Sequence, residues 1–319
     1  MRDTVVHVVA GVLRDREGRI LLTQRPAGKH LAGLWEFPGG KCEPGEAAPA
    51  ALRRELREEL GIETGAAQKL IALPWRYVEK SILLDVYNVL DFSGTPHGHE
   101  GQQLRWVASR ELRDIAMPPA DRPVISALQL PRHYAITPEP AEDADFLPKL
   151  QRMLECGAKL VQLRSKTLTR AALPPLLAQA RRLATAVGAR LLLNGHADLV
   201  AELGLDGVHL PAGELMRCRE RPLAADRWVG ASCHDGRELA HAAAIGVDFA
   251  VLGPVKHTST HPSQTPLGWP RFAQLCTAAP FPVYALGGLH HEDLSAAIDA
   301  GAQGIAGISA FWPTTADAP

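Results

Sequence analysis

The segment from Gly39 to Ile62, "GGKCEPGEAAPAALRRELREELGI", decides how the first half of this 319-residue chain is understood. It predicts a helix over residues 47–60, because Pro49 lies near the expected start and Gly61 follows the expected end. Every fourth residue of that helix is apolar, which forms one stripe for burial. The residues of the stripe are Leu52, Leu56 and Leu60.

Three acidic residues border this stripe, namely Glu55, Glu58 and Glu59. Like charges four residues apart cost about 0.2–0.5 kcal/mol, and negative charge in the last turn opposes the helix dipole. In the octapeptide "RRELREEL" alone, arginines that neutralise the acids on an ordinary surface helix are a sufficient explanation. The other explanation is a hard divalent cation such as Mg²⁺, which prefers carboxylate and carbonyl oxygens as ligands.

The residues around the helix favour the cation. Five residues separate Gly40 from Glu46, and seven more lead to "RELREELGI". This complete pattern resembles the signature of the Nudix hydrolases, which implies an α/β/α sandwich with a mixed sheet over residues 1–131. The resemblance also implies that Mg²⁺, or Mn²⁺ in its place, binds three carboxylates and one backbone carbonyl, those of Glu55, Glu58, Glu59 and Gly39. Among the helix acids we choose Glu55 as the general base, while Arg54 and Glu46 form a structural ion pair.

A longer block, "QRPAGKHLAGLWEFPGGK", resembles more narrowly the 8-oxo-dGTP diphosphatases of the MutT type, as do most of residues 4–130. The resemblance implies a nucleoside triphosphate substrate, 8-oxo-dGTP, that is hydrolysed to 8-oxo-dGMP and pyrophosphate. It implies substrate contacts with Arg25 at the phosphates, with His30, and with Phe37 near the base, where core packing is an equal alternative. Glu100, in "GHEGQQLRWV", is implied as a further metal-binding or basic carboxylate, and an ordinary loop glutamate is the alternative.

One residue in "PPADRPVI" departs from that subfamily. Asp121 lies where the MutT-type proteins usually have an Asn that reads the oxidised purine. An Asn side chain donates and accepts hydrogen bonds, whereas an ionised Asp only accepts. Asp121 can therefore accept from the N7–H of 8-oxoguanine, but it can face the O6 atom favourably only with a raised pKa and a proton.

From residue 132 onward, short apolar strands alternate with helices that often end at Gly. Eight such strands begin with "HYAIT" and "KLVQLR" and end with "PVYALGG" and "GIAGIS". Strands joined by helical crossovers are parallel, and eight of them within about 180 residues predict a compact (β/α)8 TIM barrel over residues 132–319. A doubly wound open sheet is the alternative. The whole chain is thus predicted to be an α/β multidomain protein.

Nearly all of residues 132–312 resembles the thiamine-phosphate synthases and their TenI-like relatives, in "VQLRSK", "LLLNGHADLVAELGLDGVHL", "GASCH", "GPVKHTSTH", "ALGGL" and "AGIS". The resemblance implies a thiazole or thiamine phosphate ligand, held by side chains and by backbone N–H groups that follow the last two strands. The implied contacts are Gln162, Arg164, Lys166, Asn194, Ser232, Thr258, Thr260, Gly287, Gly288, Gly307 and Ser309.

Three residues depart from the synthase pattern. Gly195 stands where a Mg²⁺-binding carboxylate is expected, Glu214 stands where Asp is usual, and His261 replaces a lysine. Losing a metal carboxylate and a cation at a diphosphate-transfer site costs about 10²-fold or more apiece in rate. Ligand binding, TenI-like thiazole chemistry and a structural remnant are therefore open alternatives to synthase activity.

Charge and composition argue against several classes of function. Lys and Arg (34) nearly balance Asp and Glu (35), which argues against a nucleic-acid polymer or a membrane surface as partner. Five scattered cysteines without a C-x-x-C motif indicate a reducing compartment and no zinc site. No run approaches the roughly 18 apolar residues of a membrane span, so we expect a cytoplasmic protein. The sequence leaves its oligomeric state open.

Three functional hypotheses follow. The first is a Mg²⁺-dependent nucleotide diphosphatase that removes oxidised nucleotides, with the barrel as a synthase-like second domain. The second is a bifunctional thiamine-pathway enzyme whose Nudix half hydrolyses thiamine-related diphosphates. In the third, the barrel is a non-catalytic ligand-binding module that regulates the hydrolase.

Overall fold

A computed structural model describes residues 5–258 and 264–313 of the chain. The chain divides into two compact units, Met1–Gln129 and Leu130–Pro319. Thr260 and His261, both named in the sequence analysis, lie outside the described residues. Within the two described stretches, no helix is both long enough and apolar enough to cross a membrane.

The first unit is built from short strands and two α-helices. Its strands are β1 (Val6–Val12), β2 (Ile20–Gln24), β3 (Trp35–Glu36), β4 (Gly39–Lys41), β5 (Glu63–Thr64), β6 (Ala67–Arg76), β7 (Ser81–Val89), β8 (Phe92–Ser93) and β9 (Leu104–Val107). Its helices are α1 (Ala48–Leu60) and α2 (Arg122–Gln129). Strands β4, β1, β7 and β6 form a mixed sheet, in which only the β1–β7 pair is parallel. Strands β3, β2 and β9 form an antiparallel sheet.

The two helices pack on opposite faces of the mixed sheet, and successive side chains of β1 point alternately to one helix and to the other. Val9 packs in one buried cluster with Leu56 of α1, whereas Val12 packs in another with Val124 of α2. Gly11 faces α1, where an added Cβ would lie 3.1 Å from the Leu56 side chain, so its lack of a side chain lets α1 approach closely. This arrangement confirms the predicted α/β/α sandwich with a mixed sheet.

Strand β6 is not predicted from the sequence. Most of its residues are half-buried or exposed at the sheet edge, and only Leu73 is buried. A β-bulge between Lys69 and Ile71 shifts the register against β7. The regular alternation by which a strand is recognised in sequence is therefore lost. The predicted helix over 47–60, by contrast, is observed as α1, which Gly61 ends in a left-handed conformation with φ 66°.

The second unit is a closed barrel of eight parallel strands. The strands are β10 (His133–Ile136), β11 (Leu160–Leu163), β12 (Arg190–Asn194), β13 (Gly207–Leu210), β14 (Trp228–Cys233), β15 (Phe249–Leu252), β16 (Val283–Leu286) and β17 (Gly304–Gly307). The helices are α3 (Phe146–Glu155), α4 (Leu173–Ala186), α5 (Ala197–Leu203), α6 (Ala212–Leu215), α7 (Gly236–Ile245), α8 (Gly268–Thr277) and α9 (Leu294–Asp299). Each strand pairs with the next, and β17 pairs with β10. The barrel is confirmed, and the open sheet is wrong.

Two layers of apolar side chains stabilise the barrel. Tyr134, Phe249 and Tyr284 belong to a cluster that fills the interior, while Ala135 and Leu177 belong to the cluster between strands and helices. Neighbouring residues of one strand belong to different layers because side chains alternate across a strand. Since the interior is filled, a ligand site in such a barrel is expected at the carboxyl ends of the strands.

Candidate functional site

The first unit has a cavity of about 600 Å³. Segments far apart in the chain line it: the β2–β3 connection, β4, α1 and the stretches that precede β9 and α2. The residues of the sequence prediction that line the cavity are Arg25, His30, Gly39, Glu55, Glu58, Glu59, Glu100 and Asp121. The fold thus brings together almost all of the predicted metal-binding and substrate-binding residues of this unit.

Two glycines of β4 let the carboxylates of α1 approach the backbone. The Gly39 N–H donates to the Glu59 carboxylate at 2.9 Å. A Cβ on Gly39 would lie 2.1 Å from the Val9 carbonyl oxygen, and a Cβ on Gly40 would lie 2.3 Å from the Glu55 carboxyl carbon. Any other residue at position 40 would displace the Glu55 carboxyl group. The position of this carboxylate therefore depends on the glycine.

Arg54 links the acids of this region. Its guanidinium donates twice to Glu46, at 2.8 and 3.1 Å, as the predicted ion pair requires. It also donates to Glu55 at 2.9 Å and to Glu58 at 3.2 Å. Lys29 pairs with Glu100 at 2.8 Å. Within residues 5–258 and 264–313, no group of three Asp, Glu, His or Cys side chains lies close enough together to hold a metal ion in this arrangement.

The electrostatics of the cavity nevertheless fit a divalent cation. Burial, with a smaller contribution from the charges of Glu36, Glu100 and Glu55, raises the pKa of Glu59 to about 7 against the opposing effect of the Gly39 N–H. Four carboxylates that repel one another around one cavity are stabilised by a bound cation. The donors are carboxylate oxygens together with the backbone of the Gly39–Gly40 strand, which is the donor set that Mg²⁺ and Mn²⁺ prefer.

A second part of the same cavity combines cations with aromatic and buried polar groups. Arg25 forms an ion pair with Glu36 and donates to the His30 carbonyl at 2.7 Å. The His30 ring meets the Tyr77 ring edge-on, with the ring centroids 5.7 Å apart. Asp121 is only 6% exposed. Burial raises its pKa well above the usual range, and the nearby charge of Glu36 adds to this effect against that of Arg25.

One predicted contact lies outside the cavity lining. Phe37 is buried in the hydrophobic core with Val12 and Leu84, which favours the core-packing alternative. Side chains alternate along a strand, and the preceding Glu36 faces the cavity.

Sequence reasoning missed other lining residues: Lys29, Glu36, Tyr77 and Lys80. The first two lie inside the quoted MutT-like block and could have been found there. Tyr77 and Lys80 lie in the hairpin between β6 and β7, where no motif marks them.

The second unit has a cavity of about 810 Å³ at the carboxyl ends of the barrel strands. All of the predicted contacts within the described residues line it: Gln162, Arg164, Lys166, Asn194, Ser232, Thr258, Gly287, Gly288, Gly307 and Ser309. Thr260 lies outside the described residues. Gly287 and Gly288 have φ values of 101° and 65°, which favour glycine and leave their backbone close to the cavity.

One departure from the synthase pattern has a structural counterpart. Gly195 has a φ of 70°, and a Cβ at this position would lie 3.0 Å from a carboxylate oxygen of Glu214. The Glu214 side chain therefore extends into the space beside residue 195, where the synthase pattern has a carboxylate. One carboxylate lines the cavity at this place instead of two.

Comparison with known proteins identifies relatives of each unit. Residues 9–127 match the NUDIX domain family, and residues 133–311 match the family described as thiamine monophosphate synthase. The first unit is 44% identical over 123 residues to the CTP pyrophosphohydrolase of Escherichia coli, which covers 39% of this chain and 90% of that protein. It is 38% identical over 136 residues to the 8-oxo-dGTP diphosphatase of Haemophilus influenzae, across 43% of this chain and 100% of that protein. The second unit is 34% identical over 184 residues to the thiamine-phosphate synthase of Chromobacterium violaceum, across 56% of this chain and 87% of that protein.

Proposed function

The chain belongs to the Nudix hydrolases through its first unit and to the thiamine monophosphate synthase family through its second, and from this premise we propose a specific activity for each. The first unit is proposed to be a Mg²⁺-dependent nucleoside triphosphate diphosphatase, with 8-oxo-dGTP as substrate and a monophosphate and pyrophosphate as products. The observation that carries this proposal is a single cavity lined both by the carboxylates of α1 and by the buried acid Asp121.

The metal-binding residues in this proposal are Glu55, Glu58, Glu59, Glu100 and the Gly39 carbonyl. A cation bound there neutralises charge on the phosphates and orients an attacking water. Glu55 and Glu58, which accept from Arg54 here, would hold the cation instead, while Glu46 would keep Arg54 in place. Glu55 remains our choice of general base.

Asp121 supports the choice of an oxidised purine. A protonated carboxyl group donates one hydrogen bond and accepts another, as an Asn side chain does. On 8-oxoguanine the O6 acceptor lies beside the N7–H donor, whereas unmodified guanine has an acceptor at both atoms. The raised pKa of Asp121 favours the protonated form and so provides the matching pattern.

A cytosine nucleotide is the second candidate substrate. Cytosine places its N3 acceptor beside an amino donor, which is the same pattern that a protonated Asp121 matches. The 44% identity with a CTP pyrophosphohydrolase supports this candidate independently.

A nucleotide panel tests both candidates. We expect Mg²⁺-dependent pyrophosphate release from 8-oxo-dGTP with a kcat/KM well above that for dGTP, and CTP serves as the competing substrate. Glu58→Gln and Glu59→Gln should each lower kcat by about 10²-fold or more. Glu63→Gln is the matched control, because Glu63 pairs with Arg57 outside the cavity. Near-normal rates for both active-site variants would refute the site, whereas higher kcat/KM for CTP would transfer the proposal to cytosine nucleotides.

For the second unit we propose binding of a phosphorylated thiazole or thiamine-like ligand in the barrel cavity. Arg164 and Lys166, which follow β11, provide positive charge, and Gly287 and Gly288 provide backbone N–H groups directly after β16. Titration calorimetry with pyrophosphate and with a thiazole phosphate tests this. Arg164→Ala should weaken both about tenfold or more, whereas Arg170→Ala, which removes an ion pair with Asp198 outside the cavity, should not. Rapid hydrolysis of thiamine-related diphosphates would favour the thiamine-pathway alternative.

A further inference from the structure

A chain of hydrogen bonds runs through the interior of the barrel and ends at the cavity of the second unit. Its members come from five consecutive strands, β10 to β14, and are Tyr134, Gln162, Asn194, His209 and Ser232. Tyr134, Gln162 and His209 are at most 2% exposed. Such a buried polar chain is stable only when each member is satisfied, so the direction of each bond is constrained by its neighbours.

The side-chain amides of Asn194 and Gln162 fix which group donates in each hydrogen bond of the chain. The Asn194 amide nitrogen donates to the Gln162 carbonyl oxygen at 2.9 Å, and the Gln162 amide nitrogen donates to the Tyr134 hydroxyl at 3.1 Å. An amide nitrogen can only donate, so the Tyr134 oxygen is an acceptor in this bond. The hydroxyl hydrogen of Tyr134 is thereby left for its other partner, Nδ1 of His209, at 3.1 Å.

His209 links the Tyr134 hydroxyl to Ser232 at the cavity. Because Nδ1 accepts from Tyr134, the single hydrogen of the neutral imidazole lies on Nε2. Burial lowers the pKa of His209 to about 3, so the ring is neutral at physiological pH. Nε2 therefore donates to the Ser232 hydroxyl oxygen at 2.8 Å. With that position of its oxygen occupied by a donor, Ser232 must direct its own hydrogen elsewhere.

We propose that this buried relay makes Ser232 an obligate hydrogen-bond donor to an anionic oxygen in the barrel cavity, with His209 and Tyr134 as positioning residues. The inference rests on the phosphate-ligand function proposed above. Ser232 lines the same cavity as Arg164 and Lys166. An acceptor such as a phosphate oxygen is favoured next to Ser232, whereas an ammonium group or an amide N–H at that place would face a donor.

The tautomer of His209 is directly measurable. Nitrogen-15 NMR of the full chain, labelled at histidine and assigned with the His209→Phe variant, should show a neutral ring protonated at Nε2 from pH 6 to pH 8. Phe retains ring packing against Tyr134 and Phe249, which lie at centroid distances of 5.7 and 6.3 Å from the imidazole. A ring protonated at Nδ1 would overturn the relay, because Nε2 would then accept from Ser232 and leave the Ser232 oxygen free to accept. A ring that titrates in this range would contradict the assignment of Nδ1 as the acceptor from Tyr134.

Binding of inorganic pyrophosphate tests the consequence. Ser232→Ala should weaken binding about tenfold or more, since a hydrogen bond to a charged group is lost. His209→Phe should weaken it measurably but less than Ser232→Ala does, because the freed hydroxyl also samples an orientation that does not face the anion. If His209 acts through Ser232, adding His209→Phe to Ser232→Ala should have no further effect.

Ser309→Ala is the matched control, because Ser309 lines the cavity without contacting His209. In that background His209→Phe should weaken binding by the same factor as in the wild type. Equal effects of His209→Phe with and without Ser232 would refute its positioning role. If the wild-type chain bound no pyrophosphate, the proposed anion site and the donor role of Ser232 would both be refuted, while the tautomer measurement would still decide the direction of the relay.

Discussion

Replacing Asp121 by Asn preserves the shape of a buried side chain but removes its ability to ionise. In the folded protein the raised pKa of Asp121 keeps the carboxyl group protonated to higher pH than in a free chain. As the pH rises through this folded pKa, the donor is lost and a negative charge appears beside Glu36. The Asn variant keeps both donor and acceptor at every pH. The two proteins should therefore recognise the base alike at low pH and diverge at high pH.

The size of the divergence follows from burial. Asp121 is 6% exposed, so its carboxyl group has little access to water. Ionisation would leave the O6 atom of 8-oxoguanine facing an acceptor, and a buried polar group without its partner costs about 1–3 kcal/mol. This corresponds to a decrease of about 5- to 150-fold in kcat/KM.

The assay is pyrophosphate release from 8-oxo-dGTP at pH 6 to 9.5, expressed as kcat/KM for the wild type and for Asp121→Asn. The ratio to dGTP is not the readout, because the O6 atom that loses its donor is an acceptor in both bases. We expect kcat/KM to fall with pH in the wild type and to change less in Asp121→Asn. A fall of equal size in both proteins would come from ionisation of another group. That result, or a constant kcat/KM in the wild type, would refute the proposed role of Asp121.

The same variant should change stability in a defined pH window. An unfolded Asp titrates near 3.9, whereas the folded pKa is raised, so the folded state holds a proton that the unfolded chain has lost. The free energy of unfolding of the wild type therefore falls as the pH rises from the unfolded towards the folded pKa. Asp121→Asn should consequently have a higher Tm than the wild type at neutral pH and a similar Tm near pH 3.5, where refolding must first be shown to be reversible.

Three further substitutions test the placement of individual residues. Gly40→Ala should lower kcat by about 10²-fold, because its Cβ displaces the flexible Glu55 carboxyl group, while the Tm changes little; retained activity would contradict the close approach. Phe37→Leu should cost about 1 kcal/mol in urea unfolding and leave the 8-oxo-dGTP to dGTP ratio unchanged, since Phe37 lies in the core; a changed ratio would place Phe37 at the base. Gly195→Asp should lower the free energy of unfolding by about 1–2 kcal/mol, because residue 195 has a φ of 70° and lies beside the Glu214 carboxylate. Added Mg²⁺ should restore part of this stability. The same loss with and without Mg²⁺ would show that the two carboxylates do not share a cation.

The sequence predicts those features of this protein that depend on spacing along a single element. Helix α1 carries its acids and its apolar stripe at fixed intervals, so the metal-site candidates could be named from residues 47–60. The eight barrel strands could be counted because each is a short, continuous apolar run between helices. The ends of parallel strands then meet at one edge, which brings Arg164, Ser232 and Gly287 to one cavity.

Other features depend on neighbours that are distant in the chain, and only the tertiary structure decides them. The side of the sheet on which Phe37 lies, and the presence of Tyr77 in the cavity, follow from strand pairing. The ionisation preference of Asp121 depends on its burial and on the charge of Glu36. The orientation of Ser232 depends on hydrogen bonds that cross five strands. Spacing specifies which groups a segment presents, whereas burial and long-range pairing determine their protonation and direction.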